Sequence, residues 1–197
     1  LARRWTDEAM VLSAAQGHAY SQLLARLARG FLCLREGRTA EALATLREAH
    51  DHCLRHSFFG FEPACVAWLA IAALESGAPA EARQCLADSI ERGHFRRIRT
   101  SATYYHFEAR ARLALADGHA LAALDLARAG LDHCRAVGEA MHEHHALVLI
   151  EDVMQASGAA PGRSAQRKAL RARLEQLGLA PLQARLERLM TEADSLA

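Results

Sequence analysis

Three segments of the chain carry one pattern, and this pattern decides the fold. They read Leu34-Arg-Glu-Gly37-Arg-Thr-Ala-Glu-Ala42, Leu74-Glu-Ser-Gly77-Ala-Pro-Ala-Glu-Ala82 and Leu115-Ala-Asp-Gly118-His-Ala-Leu-Ala-Ala123. Together with Gly158, the central glycines are spaced 40, 41 and 40 residues apart. Each glycine follows an apolar helical pattern and suits a left-handed helix end, while Thr39 and Pro79 suit the start of a following helix. The sequence therefore predicts a repeated unit of two helices.

Small residues recur at fixed distances from these glycines. Ala42, Ala82 and Ala123 stand five residues after their glycine. Other small positions lie twelve residues after the glycine and seven and four residues before it: Ala49, Ser89 and Gly130; Gly30, Ala70 and Ala111; Cys33, Ala73 and Ala114. The ninth position after the glycine holds Leu46, Leu86 and Ala127. Small residues on consecutive helices let the backbones approach closely, so we expect tight antiparallel pairs.

This pattern resembles that of the tetratricopeptide repeat family. The resemblance covers residues 18–158 and implies a right-handed α-solenoid of antiparallel helix pairs, all-α in class. The chain departs from the family at the first-helix Trp and Tyr places, which hold Arg26, Val66 and Phe107, then Cys33, Ala73 and Ala114. Its longer period is similar to that of the sensor arrays of large bacterial regulators, such as LuxR-type activators related to the maltose regulator and some ATPase or cyclase fusion proteins.

The chain is predicted to be one domain over residues 1–197. A truncated repeat fills 1–17, with a helix capped by Thr6 that ends near Gln16. Helices of the repeats are predicted at 18–36, 39–57, 62–76, 79–92, 100–117, 120–136 and 140–157. A break at 159–163 precedes two charged helices, one from Ser164 to near Gly178 and one from Pro181 onward. We expect these two to cap the array, with a connector to another domain as the alternative.

Composition argues against several classes of protein. The chain is 51% hydrophobic and 24% charged with a net charge of +1, so charge favours neither nucleic acid nor an anionic membrane. No apolar run approaches the roughly 20 residues that span a bilayer. The chain opens Leu-Ala-Arg-Arg-Trp, without an initiator Met or a signal segment, so we expect a piece of a larger cytoplasmic protein. The five cysteines are expected to be reduced, buried thiols.

No catalytic, cofactor or metal site is predicted. A nucleophile elbow and a Gly-rich phosphate loop are both missing from the sequence. The stretch His142-Glu-His-His145 departs from the zincin motif because position 146 is Ala146. His52 and His56 have a spacing that can chelate zinc, but Asp-His-Cys recurs at 51–53 and 132–134, which favours packing. We therefore expect a non-enzymatic protein.

Binding is predicted at a groove lined by the first helices. The family resemblance implies exposed positions thirteen, ten, six and three residues before each turn glycine. In repeats one and two these are apolar: Leu24, Leu27, Phe31, Leu34, Ala64, Ala67, Ile71 and Leu74. In repeats three and four they include Tyr105, Glu108, Arg112, His145 and Asp152, with Leu115, Val148 and Gln155. The apolar half either lines the groove or is covered by the truncated upstream repeat.

We expect the mixed half, Tyr105, Glu108, Arg112, His145 and Asp152, to bind a protein, a peptide or a small regulatory ligand. An alternative site is the basic segment with Arg96, Arg97 and Arg99, which would take an anionic partner. The function implied is a ligand- or protein-sensing array in a bacterial signalling or transcription regulator. The alternative is an assembly scaffold that docks another protein or forms homo-oligomers. Neither direct nucleic-acid binding nor membrane association is expected.

Overall fold

A computed structural model describes residues 1–93, 103–158 and 164–194, and these ranges are helical apart from short connections. The helices are α1 Ala2–Gln16, α2 Ala19–Arg35, α3 Thr39–Arg55, α4 Glu62–Glu75, α5 Pro79–Arg92, α6 Thr103–Ala116, α7 Ala120–Val137, α8 Ala140–Ala156, α9 Ser164–Gln176 and α10 Ala180–Asp194. The described ranges contain no β-strand. The predicted all-α class is confirmed, and the helix bounds lie close to those predicted.

The start of α1 differs from the prediction. The helix begins at Ala2, and Thr6 lies inside it, where its hydroxyl donates to the carbonyl of Arg3 at 2.8 Å. The predicted cap at Thr6 is therefore wrong. The Trp5 amide already donates to the carbonyl of Leu1 at 3.2 Å. Alanine and arginine are good helix formers, so the first turn needs no cap at position 6.

Gly77 and Gly118 end their helices as predicted. Their φ angles are 78° and 79°, in the left-handed region that favours glycine. The next amide closes each end: Ala78 donates to the carbonyl of Ala73 and His119 to that of Ala114, both at 2.8 Å. This is the Schellman arrangement, which satisfies carbonyls that a helix end otherwise leaves without a donor.

Almost all of the small residues at the registered positions are buried. Ala42, Ala82 and Ala123 are all 0% exposed. At Gly30 a Cβ atom would lie 2.5 Å from Cγ of Leu46. Helix α2 thus touches α3 at a point where only glycine leaves room for the leucine. Ala114 is the exception among the small positions, since it is half-buried.

Enlarging the buried alanines should destabilise the protein. We expect Ala82→Leu and Ala123→Leu each to lower the free energy of unfolding by about 1–3 kcal/mol, because overpacking forces side chains and backbone to shift. Ala87→Leu in α5 and Ala122→Leu in α7 are matched controls, since both alanines are exposed. Chemical denaturation measures the difference. Equal stabilities for each variant and its control would show that the buried alanines are not at tight contacts.

Contacts divide the chain into two compact units, Leu1–Ala109 and Arg110–Ala197. In the first unit, helices α1 to α5 each pack on the next, and α2 also touches α4. Helix α4 is buried along most of its length. None of the described helices is both long enough and apolar enough to cross a bilayer.

In the second unit, α7 packs on α8, and α9 and α10 pack on each other and on α8. The core of this contact is apolar: Val148, Leu174, Leu182 and Leu186, with Leu170, Leu179, Leu189 and Met190 beside them. A buried ion pair joins the Arg167 Nε atom to the Glu151 carboxylate at 3.0 Å. The two C-terminal helices thus pack as part of the second unit.

Candidate functional site

The predicted groove residues of the first unit lie beside an aromatic cluster. Tyr105 is half-buried, with its ring centroid 5.2 Å from that of Trp68 and 6.3 Å from that of Phe31. The Phe31 and Trp68 rings are 4.9 Å apart. These three residues come from α6, α4 and α2, and we call them the aromatic cluster. Trp68 was missed because it stands nine residues before its glycine, outside the predicted groove offsets.

Several positions predicted to be exposed in the first unit are buried. Glu108 is only 5% exposed. Ala64, Ala67 and Ile71 of α4 are also buried. For these residues the predicted exposure is wrong. In α4 the reason is that the helix packs on α2, α3 and α5. The family offsets presume one open face on every first helix, whereas α4 is buried at three of its four predicted positions and half-buried at Leu74.

The C-terminal helices contact the predicted groove positions of repeat four. Asp152 forms an ion pair with Arg185 of α10. Gln155 accepts a hydrogen bond from Arg167 of α9 at 3.0 Å, and Val148 is fully buried in the apolar cluster. These residues therefore hold the second unit together, and they do not line an open groove.

The residues predicted to bind a ligand belong to two different units. His145 is half-buried, with Nδ1 3.1 Å from the carbonyl oxygen of Met141, and Arg112 is half-buried in α6. Tyr105 and Glu108 belong to the first unit, whereas Arg112, His145 and Asp152 belong to the second. The basic alternative, Arg96, Arg97 and Arg99, lies outside the described residues.

An open apolar groove of about 450 Å³ runs between α1 and α2. We call it the N-terminal groove. Its lining residues are Ala9, Leu12, Ser13, Gln16, Ser21, Leu24, Ala25 and Ala28. Leu12 is 52% exposed and Leu24 is 38% exposed, so apolar surface meets water on both walls. Exposed apolar patches of this kind often mark binding surfaces.

The attachment of α1 explains why this groove is open. Ser13 is buried against α2, where its carbonyl accepts from the Gln22 amide at 3.3 Å. An ion pair between Asp7 of α1 and Arg29 of α2 also attaches α1 to α2. The face with Leu12 is left uncovered. Large exposed apolar residues are frequent in this region: Leu1, Trp5, Val11, Leu12, Tyr20 and Leu24.

Sequence reasoning found one wall of the N-terminal groove and missed the other. Leu24 appeared among the apolar groove positions, whereas Ala9 and Leu12 fell in the segment treated as a truncated repeat. The sequence did contain a pattern that could have predicted the α1 wall of the groove. Trp5, Ala9, Leu12 and Gln16 follow one face of α1 at helical spacing.

A buried polar cluster joins α3, α4 and α5. The Glu62 carboxylate is 0% exposed and accepts from the Arg92 guanidinium at 3.1 Å and from the Ser89 hydroxyl at 3.2 Å. His50 lies close by, and burial, followed by the charge of Arg92, lowers the pKa of its imidazole. The Glu62 carboxylate is therefore both ion-paired with Arg92 and hydrogen-bonded to Ser89, as a buried charge requires. The cluster is best explained as an anchor between helices.

The histidine pairs considered as metal ligands are arranged for packing. Nε2 of His52 lies 2.8 Å from the carbonyl oxygen of Ala19, and the His52 and His56 rings are 4.4 Å apart. The His142 and His145 rings are 5.9 Å apart. Within the described ranges, no group of three or more His, Cys, Asp or Glu residues is placed to hold a metal ion.

The geometry of the described residues thus offers two surfaces in the first unit, the aromatic cluster and the N-terminal groove. The groove is the more open of the two, because its leucines are more than one-third exposed. Comparison with protein-family models, with curated proteins and with solved structures finds no match to this chain.

Proposed function

We propose that this chain is a non-enzymatic binding module, built as a right-handed α-solenoid of antiparallel helix pairs, that receives a helical segment of another polypeptide. The observation that supports this proposal most directly is the N-terminal groove, with its exposed leucines on two facing helices. A sensing array in a larger bacterial signalling or transcription regulator would use such a surface to detect a protein partner.

The shape and chemistry of the groove favour an α-helix as the ligand. Its walls are two helices whose small residues, Ala9, Ala25 and Ala28, leave space for large side chains between them. Leu12 and Leu24 supply apolar contact area. Helix-in-groove recognition uses this combination, with large apolar residues at i, i+3, i+4 and i+7 of the ligand helix. The lining has no charged residue, so we expect recognition to be dominated by apolar contacts.

Binding can be tested with helical peptides selected against the chain from a display library. We expect their affinity to fall at least about tenfold with Leu24→Asp or Leu12→Asp, since each leucine contributes about 1.5–3 kcal/mol when it is buried. Leu121→Asp is the matched control, because Leu121 is 81% exposed and lies in the second unit. Titration calorimetry with each variant gives the affinities.

Three results would contradict this proposal or redirect it. Peptide affinities that are unchanged by Leu12→Asp and Leu24→Asp, but fall with Tyr105→Ala or Arg112→Ala, would place the binding site at the predicted groove. A dimer in sedimentation experiments that Leu24→Asp disrupts would favour the alternative, a self-associating scaffold. Failure to select any binder that depends on either surface would count against a binding module of this type.

A further inference from the structure

Helix α1 is attached to the protein along one side only. Its buried and half-buried residues are Thr6, Met10 and Ser13, which follow one another at intervals of four and three positions. This spacing puts the three side chains on one face of the helix, the face that packs on α2. Every other residue of α1 is exposed. The helix therefore presents a broad free surface.

Four large apolar residues and two charged residues share the opposite face of α1. Their spacing is that of one helical face, centred about half a turn away from the face that packs on α2. The apolar members are 52% to 92% exposed. We call this set the α1 outer face: Leu1, Arg4, Trp5, Glu8, Val11 and Leu12.

The charged residues of α1 are of two kinds. Arg3 and Asp7, on the flanks of the helix, form ion pairs with residues of α2 and of its C-terminal end. Arg4 and Glu8, on the outer face, form no ion pair with any residue in the described ranges. The Arg4 guanidinium lies 5.9 Å from the centroid of the Trp5 ring. The outer face thus carries one cation and one anion, about one turn apart, that the chain itself does not pair.

We propose that the α1 outer face is a homodimer interface, on which α1 of a second copy of this chain packs in the antiparallel direction. Charge complementarity selects this occupant and this direction. When a two-fold axis passes level with position 6, midway between the two charges, Arg4 of each copy lies opposite Glu8 of the other. One arrangement therefore forms two ion pairs. A parallel arrangement would place like charges opposite each other.

The apolar residues of the outer face suit the same antiparallel arrangement. The two Trp5 side chains meet beside the axis, and Leu1 of each copy lies opposite Val11 and Leu12 of the other. All four of these residues are more than half exposed in the single chain, so pairing removes apolar surface from water. The outer face is thus complementary to itself, as a two-fold contact requires.

The size of α1 limits the strength of this contact. A helix of 15 residues is about 22 Å long, so the area that it can bury lies below the roughly 800 Å² per partner of a standard interface. We therefore expect a weak dimer, whose fraction rises with protein concentration. Only Leu12 belongs to both the outer face and the N-terminal groove, and the inference does not rest on peptide binding in that groove.

Charge reversal tests the antiparallel pairing. Arg4→Glu leaves two acidic side chains on the outer face, and Glu8→Arg leaves two basic ones. Each variant alone should dimerise at least about fivefold more weakly than the unchanged chain, because both ion pairs become repulsive. A mixture of the two variants should form a heterodimer, and the chain with both substitutions should dimerise as the unchanged chain does. Sedimentation equilibrium over a range of concentrations measures each of these affinities.

A second set of variants tests the apolar part of the interface. Trp5→Ala should weaken the dimer at least about tenfold, because the large side chain lies beside the axis. Leu121→Ala is the matched control, since Leu121 is 81% exposed and lies in the second unit. Leu24→Asp, which alters the N-terminal groove, should also leave dimerisation unchanged. The dimer and peptide binding in the groove can therefore succeed or fail separately.

Other outcomes would overturn the proposal. A chain that stays monomeric up to about 1 mM would show that the outer face does not self-associate. A dimer that is unaffected by Arg4→Glu and by Glu8→Arg would exclude the antiparallel pairing. A dimer that Leu24→Asp abolishes and Trp5→Ala preserves would place the contact at the N-terminal groove. Circular dichroism checks the helix content of each variant, and recovery of dimerisation in the mixture is a gain that misfolding cannot produce.

Discussion

Replacing Arg167 with alanine is expected to lower the free energy of unfolding by about 3–5 kcal/mol, because it removes one partner of a buried ion pair. Arg167 is 4% exposed and Glu151 is 3% exposed. The guanidinium also donates to the Gln155 side chain at 3.0 Å. Its loss removes a buried cation and its hydrogen bond from the Glu151 carboxylate, whose charge is costly to bury.

The control for this prediction lies on the same helix. Arg171 pairs with Glu187 at 3.1 Å, but both side chains are more than 40% exposed. Exposed pairs contribute about 0–1 kcal/mol, so Arg171→Ala should have a small effect. Urea denaturation of both variants, followed by circular dichroism, gives the two changes. Losses of equal size would show that the Arg167 pair is no more important than a surface contact.

The helix ends could be predicted from the sequence because backbone constraints are local. A glycine with positive φ after an apolar run marks a helix end wherever it occurs, and Gly77 and Gly118 both do so. The small residues were predictable for a related reason. A close contact between neighbouring helices requires a small residue at fixed spacing, and Ala42, Ala82 and Ala123 meet this condition at 0% exposure.

The open surface could not be predicted in the same way, because exposure depends on which helices lie together. The offsets that implied exposed groove positions place Glu108 and Ile71 on one face, but the structure buries both. Asp152 and Gln155 were predicted to line the groove, but Asp152 pairs with Arg185 of α10 and Gln155 with Arg167 of α9. Leu12 was assigned to a truncated repeat, yet it lines the N-terminal groove.

The surroundings of the individual cysteines could not be predicted from the sequence for the same reason. Cys53 was correctly expected to be buried, and its recurrence with Cys134 suggested packing. The two positions differ in what surrounds them: the Cys53 thiol donates to the carbonyl of Phe58 at 3.2 Å, whereas burial raises the pKa of the Cys134 thiol to about 11. Equivalent positions in the sequence pattern can therefore have different neighbours.

A double-mutant cycle at the contact of α2 and α3 is expected to show that Gly30 and Leu46 are energetically coupled. Leu46 is 0% exposed, so Leu46→Ala should cost about 2–5 kcal/mol through lost burial and a cavity. Gly30→Ala should cost about 1–3 kcal/mol, because the new methyl group would lie 2.5 Å from the leucine side chain. That cost outweighs the gain of about 0.5–1 kcal/mol that alanine brings to a helix interior.

The effect of Gly30→Ala on the free energy of unfolding should change sign in a protein that already carries Leu46→Ala. In the Leu46→Ala background the added methyl group enters the cavity, so Gly30→Ala should be neutral or stabilising, with a coupling energy of about 1–3 kcal/mol. Gly60→Ala is the control, because nothing lies within 4 Å of its Cβ position, and we expect it to change stability by less than about 0.5 kcal/mol. Additive effects of Gly30→Ala and Leu46→Ala would mean that the helices separate to accommodate the methyl group. In that case the close approach at Gly30 would not be what holds α2 and α3 in register.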